Sequence, residues 1–377
     1  MPRKASGIEV NGTRSILGRA TLAMTFKVLC CIVVAGQLSA CASLEPLPED
    51  YQAPGPLPHS YMTQFCYEAA PIFDELTLIK EKKSYSLFEV AINAALEEYG
   101  DDSRITFEFY EPKSDVPSPV VLLLPILNGQ KHLMRPFATK FAKNGYGVLI
   151  VDTLQGSTLL EDLEHPEESI RLTIQRHRRV IDWVETRPDL DASRLGVFGA
   201  SLGGFNALFL AAMDSRVSVV SPALVGGSLP YVLVTSDERR IVEATDKLKD
   251  SLSMDDEQLT KYLTERIQTD TMVVAPHINA DRVLMVLTKY DKTVLYDSQL
   301  RLREAMGHPE AITLPTGHIT AAAYLFYLRS RILKFFDRKL AEPSEHGTAV
   351  VTDDYCRDPT SDPLQLNDPP VDIGTNE

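Results

Sequence analysis

Apolar and polar positions in this chain follow two alternating rhythms. "PVVLLLP" (residues 119–125) is one continuous apolar run, the pattern of a strand buried on both faces. Behind it, Met134, Phe137, Ala138 and Phe141 recur at helical spacing and stop at Asn144-Gly145, a helix-ending pair. "YGVLIVD" (146–152) predicts the next buried strand. The stretch 166–186 predicts a helix with Ile170, Ile174, Ile181 and Val184 on one stripe. "RLGVFG" (194–199) reads as a strand and "FNALFLAAM" (205–213) as the helix that follows it. A further strand is expected at 217–224. After an interruption the rhythm resumes with strands at 281–288 and 311–315 and helices near 298–306 and 321–340. Upstream, "RITFEFYEP" (104–112) alternates like a strand. Such alternation predicts an α/β fold: a mostly parallel central sheet with helices on both faces. There is no internal repeat.

The interruption is itself patterned. Residues 237–270 are highly charged and helical in composition, with Ile241, Val242, Leu248, Leu252, Leu259, Tyr262 and Leu263 interleaved. Residues 228–275 are therefore expected to form an inserted, mostly helical cap, its apolar face lining a site below.

Between the strand at 194–199 and the helix at 205–213 the chain reads "GASLGG", a G-x-S-x-G motif centred on Ser201. Glycines at a helix mouth cost stability, so something else requires them. A sharp strand-to-helix turn supplies the reason: glycines two before and two after the serine let backbones pass closely, and the hydroxyl stands exposed. A serine hydroxyl needs a base, and the base an orienting carboxylate. Asp291 and His318 each follow a predicted strand, in the chain order Ser, Asp, His. All three then fall at the carboxyl edge of the sheet, where open parallel sheets place ligands.

These residues give the chain a resemblance, over about 104–340, to the α/β-hydrolase superfamily, and within it to the esterase and dienelactone-hydrolase-like branches. The resemblance implies a Ser-His-Asp serine hydrolase acting through an acyl-enzyme: Ser201 as nucleophile, His318 as general base and acid, Asp291 as the group that orients it. It also implies an oxyanion hole from the Leu202 N–H and one more donor. The loop after the 119–125 strand reads "PILNGQ" where the superfamily has His-Gly, so Ile126 or Leu127 must supply that donor. "DKTVL" at the acid loop carries Leu295 in place of a proline. The expected substrate is a small or lipid-like carboxylic ester. A thioester or peptide hydrolase, and a non-catalytic binding protein on the same fold, are the alternatives.

The chain ends add an address. Basic residues precede a short apolar run, Val28 to Ala35, that closes in "LSAC" (38–41). This resembles the lipobox of bacterial lipoproteins: residues 1–40 a signal peptide, Cys41 lipidated, Ala42 next to it as in proteins sent to the outer membrane, facing the periplasm. A Pro-rich tether is expected over 41–65, the hydrolase domain over 66–340, and an acidic Pro/Asp-rich tail over 341–377. That tail holds nine acidic residues and one basic, so it carries much of the formal charge of −14. An acidic balance argues against nucleic acid as a partner. With Cys30 and Cys31 removed and Cys41 lipidated, Cys66 and Cys356 are left to form one disulfide, two free thiols being the alternative. His177 lies on the apolar stripe of its helix and reads as a packed histidine; no metal-binding spacing and no cofactor motif appears.

Overall fold

The computed structural model describes residues 42–67, 70–94, 104–127, 129, 131–152, 159–160 and 163–341. Residues 44–377 form one unit, and residues 1–43 are divided from it. Cys41, Cys356, the expected signal peptide and all but the first residue of the acidic tail lie outside the described residues.

In chain order the elements are β1 (Ser43–Glu45), α1 (His59–Met62), β2 (Asp74–Glu81), β3 (Tyr85–Asn93), β4 (Arg104–Pro112), β5 (Ser118–Leu124) and α2 (Lys131–Ala142). They continue with β6 (Gly147–Val151), α3 (Pro166–Glu185), β7 (Leu190–Ala200), α4 (Leu202–Met213) and β8 (Val217–Ala223). After them come α5 (Leu229–Thr235), α6 (Arg239–Leu252), α7 (Asp256–Arg266) and α8 (Thr271–Val274). The series closes with β9 (Leu284–Thr288), α9 (Tyr296–Ala305), β10 (Glu310–Leu314) and α10 (Leu325–Lys339).

The ten strands make one sheet in the order β1-β10-β9-β8-β7-β5-β6-β4-β3-β2. From β10 to β6 neighbouring strands run parallel, and β4, β3 and β2 add antiparallel hairpins. The parallel strands are the continuous apolar runs: every residue of β6, β8 and β9 is buried, as expected where helices cover both faces. Helix α4 is buried on nearly all sides, including Leu208, Phe209 and Leu210, so its place is set by burial and not by a single apolar stripe. Phe107 and Phe109 of β4 pack edge-on against Trp183 of α3, with ring centroids 5.0 and 5.2 Å apart.

Two stretches depart from the sequence expectation. β2 has all eight residues exposed and no buried face to set a period-two pattern, and its edge position is protected by charges such as Glu75 and Lys80. The expected tether is the larger correction. Residues 44–65 lie against the body: Leu57, Met62 and Phe65 belong to the hydrophobic core. Tyr51 accepts a hydrogen bond from Ala280 N at 2.7 Å, and Glu45 is ion-paired to Arg303. A Pro-rich segment has few N–H groups to satisfy, so it can be laid down extended and held by a few anchoring side chains.

Candidate active site

β7 runs directly into Ser201, which starts α4 with φ 54° and ψ −122°. This conformation is costly for a residue with a side chain, by about 1–3 kcal/mol. It is held by three backbone bonds: Ser201 N donates to Ala223 O at 2.8 Å, and Gly204 N and Phe205 N donate to Ser201 O at 2.8 and 3.1 Å. The flanking glycines are sterically required. A Cβ on Gly199 would lie 1.9 Å from Gly203 O, and one on Gly203 would lie 2.0 Å from Leu124 O. Three backbones cross there with no space between them.

β9 and β10 extend their pairing beyond the sheet, with Lys289 N donating to Leu314 O and Tyr290 N to Thr316 O, both at 2.9 Å. This brings together the two loops that carry Asp291 and His318. His318 Nδ1 donates to Asp291 Oδ2 at 2.8 Å, leaving Nε2 as an acceptor. The Asp291 carboxylate is buried and well supplied with donors. Oδ1 accepts from Thr293 N and Val294 N, both at 2.9 Å, and Oδ2 also accepts from Thr288 Oγ1 at 2.6 Å. Burial pushes its pKa up, but the His318 bond and charge, Thr288 and the Val294 N–H outweigh burial and hold it below the ordinary aspartate value. Among the described residues the Ser201 hydroxyl makes no hydrogen bond to His318.

Sequence reasoning did not find Gln299. It is fully buried on α9; its Nε2 donates to Val294 O at 2.7 Å and to Thr288 Oγ1 at 3.2 Å, and its Oε1 accepts from Thr288 N at 3.0 Å. The amide thus braces both ends of the Asp291 loop. Its sequence context, a polar residue in a polar helix, carries no signal of this role.

Ser201 opens into a cavity of about 70 Å³ whose walls include Leu127, Leu202, Phe205, Leu229, Val232, Leu233, Ile241 and Val294. Leu202, at the first position of α4, has an N–H without an intrahelical acceptor. Leu127 lines this cavity and Ile126 does not; the Ile126 carbonyl closes a turn by accepting from Gly129 N at 2.8 Å. Residues 228–275 are helical, but only α5 and the first turn of α6 reach the cavity. Of the seven apolar positions singled out in the insertion, Ile241 lines it. Leu248, Leu259 and Leu263 join the hydrophobic core, and Val242 is exposed. Asp270 binds both ends of the insertion, accepting from Ser228 N at 3.2 Å and Met272 N at 2.8 Å. Glu167 fixes the exit to the N-terminus of α3, accepting from Thr269 N at 2.6 Å and Thr269 Oγ1 at 2.7 Å.

His177 is buried, and burial beside Arg176 lowers its pKa to about 3, so it is a neutral imidazole. Among the described residues no group of His, Cys, Asp and Glu is placed to hold a metal ion, and no helix is long and apolar enough to cross a membrane.

Residues 107–231 match the model of the dienelactone hydrolase family. The chain is similar to the quorum-quenching protein AidA of Acinetobacter baumannii, 25% identical over 124 residues, which is 32% of this chain and 40% of that protein. It is also similar to the putative hydrolase YtaP of Bacillus subtilis, 24% identical over 172 residues, 40% of this chain and 56% of that protein. The similarity thus spans about half or less of these curated relatives. Among solved structures, an acetyl xylan esterase from Paenibacillus sp. R4 superposes with a TM-score of 0.56 at 20% identity, covering 74% of this chain and 92% of that one. Acetyl xylan esterase 1 from Thermoanaerobacterium sp. JW/SL YS485 does so with 0.54 at 16%, covering 77% and 99%. The mostly parallel sheet with helices around it is therefore an α/β-hydrolase fold, and its stretch from β4 into α5 is similar to the dienelactone hydrolases.

Proposed function

We propose that the protein is a serine hydrolase of carboxylic esters. The observation that carries the reading is the His318–Asp291 pair, bonded at 2.8 Å, with Asp291 on the loop whose Thr293 and Val294 border the cavity of the strained Ser201. Ser201 Oγ attacks the ester carbonyl carbon while His318 Nε2 takes its proton, and Asp291 stabilises the imidazolium that forms. The Leu202 and Leu127 N–H groups receive the negative oxygen of the tetrahedral intermediate. Collapse breaks the bond to the alkoxy group, which leaves as alcohol with the proton from His318, and water then cleaves the acyl-enzyme by the same steps. The serine–histidine bond in such sites often closes only in the substrate complex. The dienelactone hydrolase match and the acetyl xylan esterase neighbours support the same reaction class.

Turnover of p-nitrophenyl acyl esters tests this. Ser201→Ala is expected to lower kcat by several orders of magnitude with the fold intact. A Ser201→Ala protein that still forms a covalent adduct with a fluorophosphonate overturns it. Faster cleavage of peptide amides than of esters would reassign the bond.

We further propose that Cys41 carries lipid and holds the enzyme to the bacterial envelope, at the outer membrane facing the periplasm, and that Cys66 is disulfide-bonded to Cys356. The "LSAC" stretch and the residual cysteine pair support these readings. Cys41→Ser is expected to release the protein from membranes, and full alkylation of both thiols without reductant would exclude the disulfide.

A further inference from the structure

A second cavity, of about 50 Å³, lies on the other side of Leu127, Leu159, Leu202 and Phe205, which line both spaces. Its remaining wall sets Leu124, Pro125, Val151 and Ile170 beside polar side chains, three of which matter here. Arg176 is 6% exposed and its Nη2 donates to the Arg104 carbonyl at 3.0 Å. Among the described residues no carboxylate lies within ion-pair distance of it, whereas its neighbours Arg178 and Arg179 pair with Asp214 and Asp182. Burial alone lowers the Arg176 pKa, to about 10, with no acid offsetting it. His177, also 6% exposed, has a buried Nδ1 with no hydrogen-bond partner among the described residues. Asn206 is buried on α4, five residues beyond Ser201. Among the described residues the wall holds one carboxylate, Asp152, and it is taken: Lys131 lies 2.5 Å from it and Thr106 Oγ1 donates at 2.7 Å. Among the described residues the cavity therefore presents one guanidinium without a counter-charge and an unpartnered imidazole nitrogen.

A buried charge left without a counter-charge is strongly unfavourable, so such an arrangement suits a partner brought from outside. A guanidinium offers a planar fork of donors that matches a carboxylate. We propose that this cavity is a subsite for a small anionic group, of carboxylate size, on the ester substrate, held by Arg176 with Asn206 and His177 beside it. The ester's hydrocarbon part occupies the apolar cavity, and the scissile carbonyl sits between the two, at Leu127 and Leu202. This rests on the ester-hydrolase reading and assigns its substrate class: an amphiphilic ester with one charged end.

Binding to the Ser201→Ala protein tests the subsite without turnover. Calorimetric titration with monomethyl glutarate, an anion, is compared with dimethyl glutarate, its neutral counterpart. The monoanion is expected to bind about tenfold tighter or more, as for a charge-assisted bond. Arg176→Met in the same background is expected to erase that preference. Should the methionine variant not fold, Arg176→Lys must weaken the monoanion and leave the diester unchanged. Equal affinity for the two esters, or a preference that survives Arg176→Met, overturns the subsite. A failure of the ester-hydrolase reading shows separately, as wild-type turnover that Ser201→Ala leaves intact.

Discussion

Gly203 has no room for a side chain, because the atom in its way is Leu124 O, a backbone atom of the central strand β5. Gly203→Ala is expected to destabilise the protein by more than about 4 kcal/mol, the size reserved for severe backbone or core conflicts, and a melting curve reads it. Asp291 is expected to act mainly on catalysis. Asp291→Asn keeps the shape but not the charge, and should lower kcat by about 10³–10⁴-fold in a p-nitrophenyl ester assay. It also bears on acid stability. The folded pKa of Asp291 lies below its ordinary 3.8, so its contribution is fully present above that value and is lost as pH falls through the lower, folded one. Asp214 behaves alike: burial raises its pKa, but Arg216 and Arg178 outweigh this and bring it below the ordinary value. As pH falls below about 4, Asp291→Asn should therefore lose less stability than wild type, as denaturant titrations at each pH would show. At this scale the glycines were legible, since the motif and the turn it demands are local. Gln299 was not, because a bracing amide is defined only by what surrounds it.

Among the elements, strands buried on both faces and helices with a regular stripe were read within a few residues of their observed limits. β4 spans Arg104–Pro112, as its alternation indicates. β2 could not be read, since side chains exposed on both faces leave no alternation to detect. In the insertion, composition revealed helices, but not which of them would face the site. Three of its leucines are core residues, so exchanging the whole segment for a Gly/Ser linker should cost stability as well as alter chain-length preference. A sharper change is Val232→Phe on α5, which fills the apolar cavity. It is expected to shift the preferred acyl chain to shorter esters in a p-nitrophenyl series, and an unchanged profile would remove α5 from the acyl site. Asp270→Ala should leave the Ser228, Leu229 and Met272 N–H groups without their acceptor. At about 1–3 kcal/mol for a buried unsatisfied group, the melting temperature should fall by several degrees.

For the molecule as a whole, the sheet order and the core point to a body that begins earlier than its apolar rhythm suggests. The rhythm starts near residue 104, yet Leu57, Met62 and Phe65 are core residues and β1 forms one edge of the sheet. A protein begun at residue 61 would lack β1, Tyr51 and Leu57 and the Glu45–Arg303 pair. It should melt several degrees below one begun at residue 42, and equal melting temperatures would show that residues 42–60 contribute nothing. Proline-rich composition signals an extended path; whether that path is free depends on the surface it crosses, which is a property of the assembled fold.

The early docking of the chain shortens the leash. A free stretch from residue 41 to 65 could reach about 80 Å, at roughly 3.5 Å per extended residue. Leu44 already belongs to the folded unit, three residues from Cys41, so the slack is about 10 Å. On the proposed anchoring, the enzyme could not sweep the space above the membrane. It would be pressed close to the bilayer in a narrow range of orientations, and its substrates would be those that pass along the lipid surface.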